Sequence, residues 1–526
     1  MPHTPAMRRA LRARYDARAA QSYATRPQAT STYPAIAVTS ASAVTEPGDA
    51  LETAITTTAP APARAKASPK PISDRELRGK VWALALPAIG EQLLALGVGL
   101  SDTFLSGHLS NAAMAHLGYD RAIAVDTVGM ASTAAWVVLT AFFAVNIGVT
   151  ALVARATGAK DTNLARRAAA QGIILGVIAG IVMLGLAVPL ASLITHVLGV
   201  SGQVADLGAS FIRIYSLGLP ATGVASACTA AMRGSGDGKR PLIVMLVVNG
   251  ANILGSWILM NGLQSPHISP LGVLGSACGA ASGWALGAVL ALYLLSRDHP
   301  RAPKLVRSAL HLDRALAARI LRVGLPSAAE LIVFQIGIVS FLRFVVILGP
   351  AAYAANTAIN TVESMGSLPG FGFAVAATAL VGQALGASDP DLAKRVVWAT
   401  MRPCVAVMGA MGLLAALFPS VFLGMFVADS SVQVAGDIAM RFSLLTLPGS
   451  AIAFVFIGTL RGAGDTKFPV IARATSTLGI RVPLALALIP VFGLPGARIA
   501  MATDFWTQAA ITYWRFRSGR WHKAKV

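Results

Sequence analysis

From Lys80 onward the chain alternates long apolar runs with short polar breaks. Leu242–Leu259 and Pro403–Val427 are the plainest of the runs. An apolar stretch of about 18 or more residues is long enough to cross the hydrocarbon core as a helix. Twelve such segments are predicted, beginning near residues 81, 122, 168, 204, 241, 272, 317, 350, 396, 433, 468 and 495. Barrel strands would instead alternate in-and-out over about ten residues. The predicted fold class is an all-α polytopic membrane protein with twelve transmembrane helices.

The polar breaks repeat. "MRGSGDGKRP" (Met232–Pro241) returns as "LRGAGDTKFP" (Leu460–Pro469), 228 residues later. "ALVARATGAKDTNLARR" from Ala151 returns as "ALVGQALGASDPDLAKR" from Ala379, and "FIRIYSLGLP" from Phe211 as "AMRFSLLTLP" from Ala439, both at the same spacing. "LPAIGE" (Leu86–Glu91) returns as "LPSAAE" (Leu325–Glu330), 239 residues on. Two six-helix halves of the same topology follow, predicted at residues 74–300 and 301–526, with the transport pathway between them. The glycine-rich turn is not a phosphate loop. Arg233 stands where the first glycine of that motif would be, and a membrane helix precedes it. Its glycines suit a tight turn, Asp237 and Asp465 can cap the next helix or pair with the arginine four residues back, and Pro241 and Pro469 suit a first helical turn.

Composition sharpens this picture. The 526 residues are 55% hydrophobic and only 13% charged, with a net charge of +20, whereas a soluble domain is about 25% charged. The positive charge lies in connections and tails, so it sets topology and does not imply nucleic acid as a partner. Even-numbered connections are basic, with Lys160, Arg166 and Arg167, then Arg233, Lys239 and Arg240, while "NGLQSPHISPLG" after the fifth segment has no Lys or Arg. Both termini are therefore expected in the cytoplasm. Residues 1–73 are Pro/Ala-rich and basic, cannot build a core, and read as a disordered cytoplasmic tail, with a targeting peptide as the alternative. Cys228, Cys278 and Cys404 and the scattered histidines show neither a disulfide framework nor a metal-ligand spacing, so no metal or other cofactor is expected.

These stretches resemble the multidrug and toxic compound extrusion (MATE) family. The residues that carry the resemblance are "LALPAIGEQLLALGVGLSDTFLSGHL" in the first segment, the twice-written "RG-x-GD-x-K" turn, "INTVESMGSLPGFGFAVAATALVGQALGA" in the eighth and "YWRFRSGRW" at the C-terminus. The resemblance covers about residues 78–520. It implies a V-shaped pair of six-helix bundles that exports organic, often cationic, compounds by alternating access. Inward flow of protons or sodium ions would drive it.

Ionisable residues inside spans are costly and so are functional candidates. Glu91 and its repeat mate Glu330 each follow a helix proline by four residues and are expected near mid-membrane, either exchanging a proton for a cation or anchoring helix to helix. Asp102 lies eleven residues after Glu91, on the same helical stripe about 16 Å away. The resemblance places this "SDTF" aspartate in a cation or proton site of the N-terminal half. Asn249 and Asn252 share a face and can ligate sodium through their carbonyl oxygens or join helices. The resemblance implies an aspartate four residues after the second asparagine, as several relatives carry, where this chain has Ser256, so it does not fix the coupling ion or the stoichiometry. The family's acids in helices seven and ten fall here on Phe334 and Ser450, so that site is not carried over. Glu363, in the eighth segment, either functions or pairs structurally, for example with Arg343 or Arg441. Pro369, Gly370 and Gly372 are expected to break or kink the eighth helix.

The expected function is antiport: export of organic cations across the plasma membrane by a monomer, with H+ or Na+ as coupling ion. The alternative is a flippase for a lipid-linked precursor, which would need a basic cavity for pyrophosphate. No paired-histidine or nucleophile constellation supports an enzyme.

Overall fold

The computed structural model describes residues 72–263, 268–299, 303–305 and 310–524, the side chains of 136–139 excepted. Apart from Ile72 and Ser73, the expected N-terminal tail lies outside the described residues. Twelve rods follow in chain order: α1 Asp74–Gly107, α2 Arg121–Gly158, α3 Thr162–Val197, α4 202–234, α5 Lys239–Asn261, α6 Val273–Ser296, α7 Arg314–Val346, α8 Pro350–Gly386, α9 Pro390–Leu417, α10 430–463, α11 Lys467–Phe492 and α12 Leu494–Arg517. Among the described residues, ten helices are long and apolar enough to cross a membrane. The two rods outside that set have visible reasons. α4 is interrupted at Gly218 into two 16-residue helices, and α12 carries Arg498, Asp504, Arg515 and Arg517 among its apolar residues.

Helix starts follow the local chemistry of the repeats. Asp161 accepts a hydrogen bond from the Leu164 N–H, and Asp389, its repeat mate, accepts one from the Leu392 N–H, each at 2.8 Å. The residues just before them, Lys160 and Ser388, both adopt positive φ, 57° and 60°. The duplication extends to contacts between helices. Thr150 Oγ1 donates to the Ala230 carbonyl, and Thr378 Oγ1 donates to the Gly458 carbonyl. Each half thus joins its second rod to its fourth by the same bond. α8 runs unbroken through Pro369, contrary to the expected break. Its glycines serve close packing instead: a Cβ at Gly372 would meet the Ile89 backbone nitrogen of α1 at 2.9 Å.

The two halves meet along a seam of such approaches. A Cβ on Gly148 of α2 would collide with the Ile320 carbonyl of α7, and one on Gly324 of α7 with the Ala144 carbonyl of α2. Gly158 lies against Gln383, and Gly386 against Arg155. Trp82 of α1 packs edge-on against Phe373 of α8, 5.3 Å between centroids. These residues occupy the ends of α1, α2, α7 and α8 near the basic connections. Toward the opposite end, Leu93, Leu100 and Phe104 of α1 and Ile332 and Val339 of α7 are more than half exposed.

Two ion pairs bridge the halves at the basic end. Arg167 of α3 pairs with Asp313, the N-cap of α7, and Arg395 of α9 pairs with Asp74, the first residue of α1. Arg395 lies 228 residues after Arg167, and Asp313 239 after Asp74, so the pairs are repeat mates. Each half grips the other's first rod. Gln171 reinforces one of them, donating to the His311 carbonyl and accepting from the Asp313 N–H. The contribution of exposed pairs of this kind is slight, because solvent screens them. That is small enough to be broken during a conformational cycle.

Gly324→Val is expected to overpack the seam by about 1–3 kcal/mol and lower the thermal midpoint of the purified protein. The same change at Gly97, which faces open space, should leave it in place. The Leu316 backbone N–H, and after it Arg167, hold the Asp313 carboxyl below the usual carboxylate range. A depressed value means that the pair is intact above about pH 4 and is lost only as pH falls through the lowered value. Cross-linking between cysteines placed at Arg166 and Leu312 should therefore be flat between about pH 5 and 8 once corrected for thiol ionisation. Arg167→Glu should loosen this contact and the double variant with Asp313→Lys should restore it.

Candidate functional site

Three clusters of buried polar groups lie inside the helical bundle. The first is in the N-terminal half. Asp102 of α1 is buried, and Ser256 Oγ of α5 donates to its Oδ1 at 3.3 Å. Asn252, one turn earlier on α5, and Ser276 of α6 flank the carboxylate. α6 comes this close because Gly279 has no side chain; a Cβ there would collide with Ser256 and sit 3.0 Å from the Asn252 carbonyl. The amide of Asn252 and the Ser276 hydroxyl are buried and converge on this carboxylate, within reach of it but short of well-aligned hydrogen bonds. Buried polar groups are nearly always paired, so Asp102 is the acceptor on which this set centres. A carboxylate, an amide oxygen and two hydroxyls are hard donors suited to a small monovalent cation, and the carboxylate is equally a place for a proton. Asn249 is buried too, but its Nδ2 donates to the Met245 carbonyl one turn back, so its amide is committed to its own helix.

The second cluster is a repeated ion pair. Arg233 Nη1 donates to Glu91 Oε2 at 2.7 Å, and Arg461 Nη2 donates to Glu330 Oε2 at 2.8 Å. The arginines are those of the twice-written turn. They do not pair with the aspartate four residues on. Asp237 instead accepts from the Lys239 and Arg240 N–H groups, starting α5, and Asp465 takes Arg515 of α12 at 2.7 Å. Gly238 in that turn lies beside Ala83, Leu84 and Pro87. Glu91 therefore sits about 6 Å, one helical turn, beyond the level of the turn. The two copies differ in one respect. Glu330 has a second arginine, Arg473, at 3.8 Å. Glu91 Oε1 is buried without a partner, beside a cavity of about 160 Å³ lined by Ser226, Thr229 and Trp284.

The third cluster lies in the C-terminal half. Ser443 Oγ donates to Glu363 Oε1 at 2.8 Å, and Arg498 Nη1 donates to its Oε2 at 3.1 Å. Arg498 of α12 also donates to Asn356 and Asn360 of α8. The partner of Glu363 is thus neither Arg343 nor Arg441, which reaches Asp437 on its own helix. The basic residues are expected in connections, yet three arginines, Arg473 and Arg481 of α11 and Arg498 of α12, are buried inside rods, as is the acidic Asp504 of α12. The signal was present in "ARATSTLGIRVPL" and "GARIAMATDFW", where charge interrupts apolar runs. A single π-turn, Thr477–Arg481, interrupts α11. Such turns re-aim side chains and recur at functional sites. Here it brings Thr477 Oγ1 within 3.2 Å of Asp504 and Arg481 Nη1 within 3.6 Å of it. Phe334 has the Arg473 guanidinium over its ring at 4.8 Å, and Ser450 Oγ donates to the Leu447 carbonyl.

Comparison with known proteins agrees with the duplication. The chain is 28% identical over 455 residues to a probable multidrug resistance protein NorM of Thermotoga maritima, covering 86% of this chain and 94% of that one. It is 22% identical to the uncharacterized transporter YisQ of Bacillus subtilis, over 84% of this chain and 94% of the other. Its fold matches a crystal structure of a MATE protein in the bent conformation with a TM-score of 0.76 at 19% identity, covering 86% and 98% of the two chains. It matches an outward-facing multidrug resistance MATE family transporter with a TM-score of 0.76 at 19% identity, over 85% and 97%. The MatE family profile matches twice, at residues 87–258 and 326–487, once in each half. The chain belongs to the MatE family of multidrug and toxic compound extrusion transporters.

Proposed function

We propose that this transporter is an antiporter that exports organic, positively charged compounds in exchange for sodium ions or protons. The observation that carries this reading is the oxygen set at Asp102, where a buried amide and two hydroxyls converge on one buried carboxylate. A cation or a proton arriving there completes the set, and its departure leaves the bundle with an uncompensated buried charge. Occupancy thus has a differential free energy between conformations, which is what coupling requires. Ser256, standing where relatives carry an aspartate, leaves one formal charge at this site and favours a single monovalent ion per cycle. Glu91 and Glu330 serve in this reading as ends of interhelical ion pairs, and Glu91, with its free oxygen beside a small cavity, is the one positioned to meet a cationic group.

The positive-inside rule orients the molecule. The basic end, with both ion-pair bridges and both termini, faces the cytoplasm, and the chain is a multi-pass protein of the plasma membrane working as a monomer. The seam then closes the cytoplasmic side.

Purified protein in liposomes, given an imposed sodium or proton gradient, tests the reading with ethidium as cargo. Asp102→Asn should reduce gradient-driven transport at least about ten-fold, equivalent to about 1.4 kcal/mol, with unchanged membrane insertion. Ion dependence that survives in Asp102→Asn would contradict the assignment.

A further inference from the structure

We propose that the C-terminal half contains a second, pseudo-symmetric cation site that the chain fills itself: the guanidinium of Arg481 stands where the N-terminal half takes its exchangeable ion. This rests on the reading of Asp102 as the exchange site. It adds that the other half holds a fixed cation and contributes no ion to the cycle.

The duplication locates the site. α1 and α7 are related by 239 positions, as Glu91 is to Glu330 and Asp74 to Asp313. α5 and α11 are related by 228 at their starts, Lys239 and Lys467. The π-turn at Thr477–Arg481 holds one residue more than α-helical winding, so the spacing beyond it is 229. α6 and α12 each start after a glycine of positive φ, Gly272 at 55° and Gly493 at 60°, which relates them by 221. Packing agrees with this register. A Cβ on Gly275 of α6 would collide with the Leu259 carbonyl of α5, and one on Gly496 of α12 with the Leu488 carbonyl of α11. Leu488 lies 229 positions after Leu259 and Gly496 lies 221 after Gly275.

Carried across, the N-terminal set changes character at every place. Asp102 becomes Phe341, Ser256 becomes Ala485, Ser276 becomes Ala497, and Asn252 becomes Arg481. Phe341, Ala485 and Ala497 are buried in one apolar cluster, so these places converge in this half as they do in the other. The Arg481 guanidinium lies over the Phe341 ring, 4.4 Å from its centroid. Its acid comes from a new place, Asp504 of α12, with Nη1 3.6 Å from the carboxylate, and neither side chain is more than 2% exposed. Thr477, the mate of Asn249, donates to the same carboxylate at 3.2 Å. One half thus offers a carboxylate, an amide and hydroxyls. The other presents a positive charge already in place, over an aromatic face and beside an acid. Without the extra residue of the π-turn, Ile480 would take the place of Asn252.

A guanidinium neither loses its proton nor leaves its helix, whereas an ion at Asp102 can do both. The C-terminal half is therefore held in the state that the N-terminal half reaches only when occupied, and occupancy changes in one half alone.

The test is the ratio of coupling ion to cargo. It is read in proteoliposomes with the membrane potential clamped at zero, as the slope of the logarithm of the steady ethidium ratio against that of the imposed sodium or proton ratio. Wild type should give a slope of about one, since one half exchanges an ion. Arg481→Asn puts an amide where Asn252 stands in the other half and leaves the Asp504 carboxylate to an ion, so the slope should rise to about two. Adding Asp504→Asn removes that acid, and Arg481→Lys alone keeps a tethered charge, so each should return a slope of about one. An arginine that only braces the fold would change the rate or the thermal midpoint and leave the slope alone. A slope of about two in wild type, or of about one in Arg481→Asn, overturns the site. Thermal unfolding of purified Arg481→Ala covers the case in which Arg481→Asn is inactive. Its midpoint should fall, and millimolar guanidinium should restore at least half of the loss while urea and tetramethylammonium restore none. Absence of that restoration overturns the site whether or not Arg481→Asn transports. Unfolding involves no gradient, so failure of the antiport reading, seen as a flat response of wild type to both ions, is told apart from failure of this one.

Discussion

Backbone-to-backbone contact between α2 and the pair α7 and α8 is the constraint on which the rest of this structure depends. At Gly148, Gly158, Gly324 and Gly386 one helix lies directly on another, and any side chain would force them apart. Close approach of this kind is how helices associate where no hydrophobic driving force separates helix from lipid. It also makes the seam short. Among the described residues these close approaches lie toward the basic end, so the halves are joined there as two blocks with a common edge. A block joined along an edge can rock about it, whereas one joined along a full face cannot.

The buried charges fit that division of labour. The Glu91–Arg233 and Glu330–Arg461 pairs lie within their own halves and tie the first rod of each half to its fourth. They hold each block rigid. The Arg167–Asp313 and Arg395–Asp74 pairs cross between halves, are partly exposed, and are energetically slight. Strong bonds inside a block and weak ones across it are what a rocking motion requires. Buried polar clusters sit in each block, around Asp102 in one and around Glu363 and Asp504 in the other.

Much of this was legible in the sequence. The 228-residue repeat fixed the doubled topology, and apolar runs placed the rods to within several residues. Partners were less legible. Spacing suggests that an arginine pairs with an acid four residues away, but Arg233 reaches Glu91 across 142 positions of sequence. A long flexible side chain at a helix end chooses its acid by tertiary packing. Gly370 and Gly372 read as a break or kink because Pro369 stands beside them, yet the helix is continuous, with Gly372 packed on α1 and Gly370 on α9 and α10. Helical periodicity does not distinguish a bend from a seam. Arg473, Arg481 and Arg498 were hidden by the apolar sequence around them, since the runs that identify a span also average away single charges. The π-turn that places Arg481 has no sequence signature of its own.

Distances between spin labels at the two ends of the molecule test the rocking account most directly. One pair, at Thr162 and Asp391, spans the halves at the basic end. The other, at Ala112 and Ile347, spans them at the opposite end; all four positions are exposed. In proteoliposomes taken through changes of ion gradient and cargo, the account predicts that the two distances move in opposite directions, the basic-end pair lengthening as the other shortens. A basic-end distance that stays fixed in every condition, or two distances that lengthen together, would contradict it.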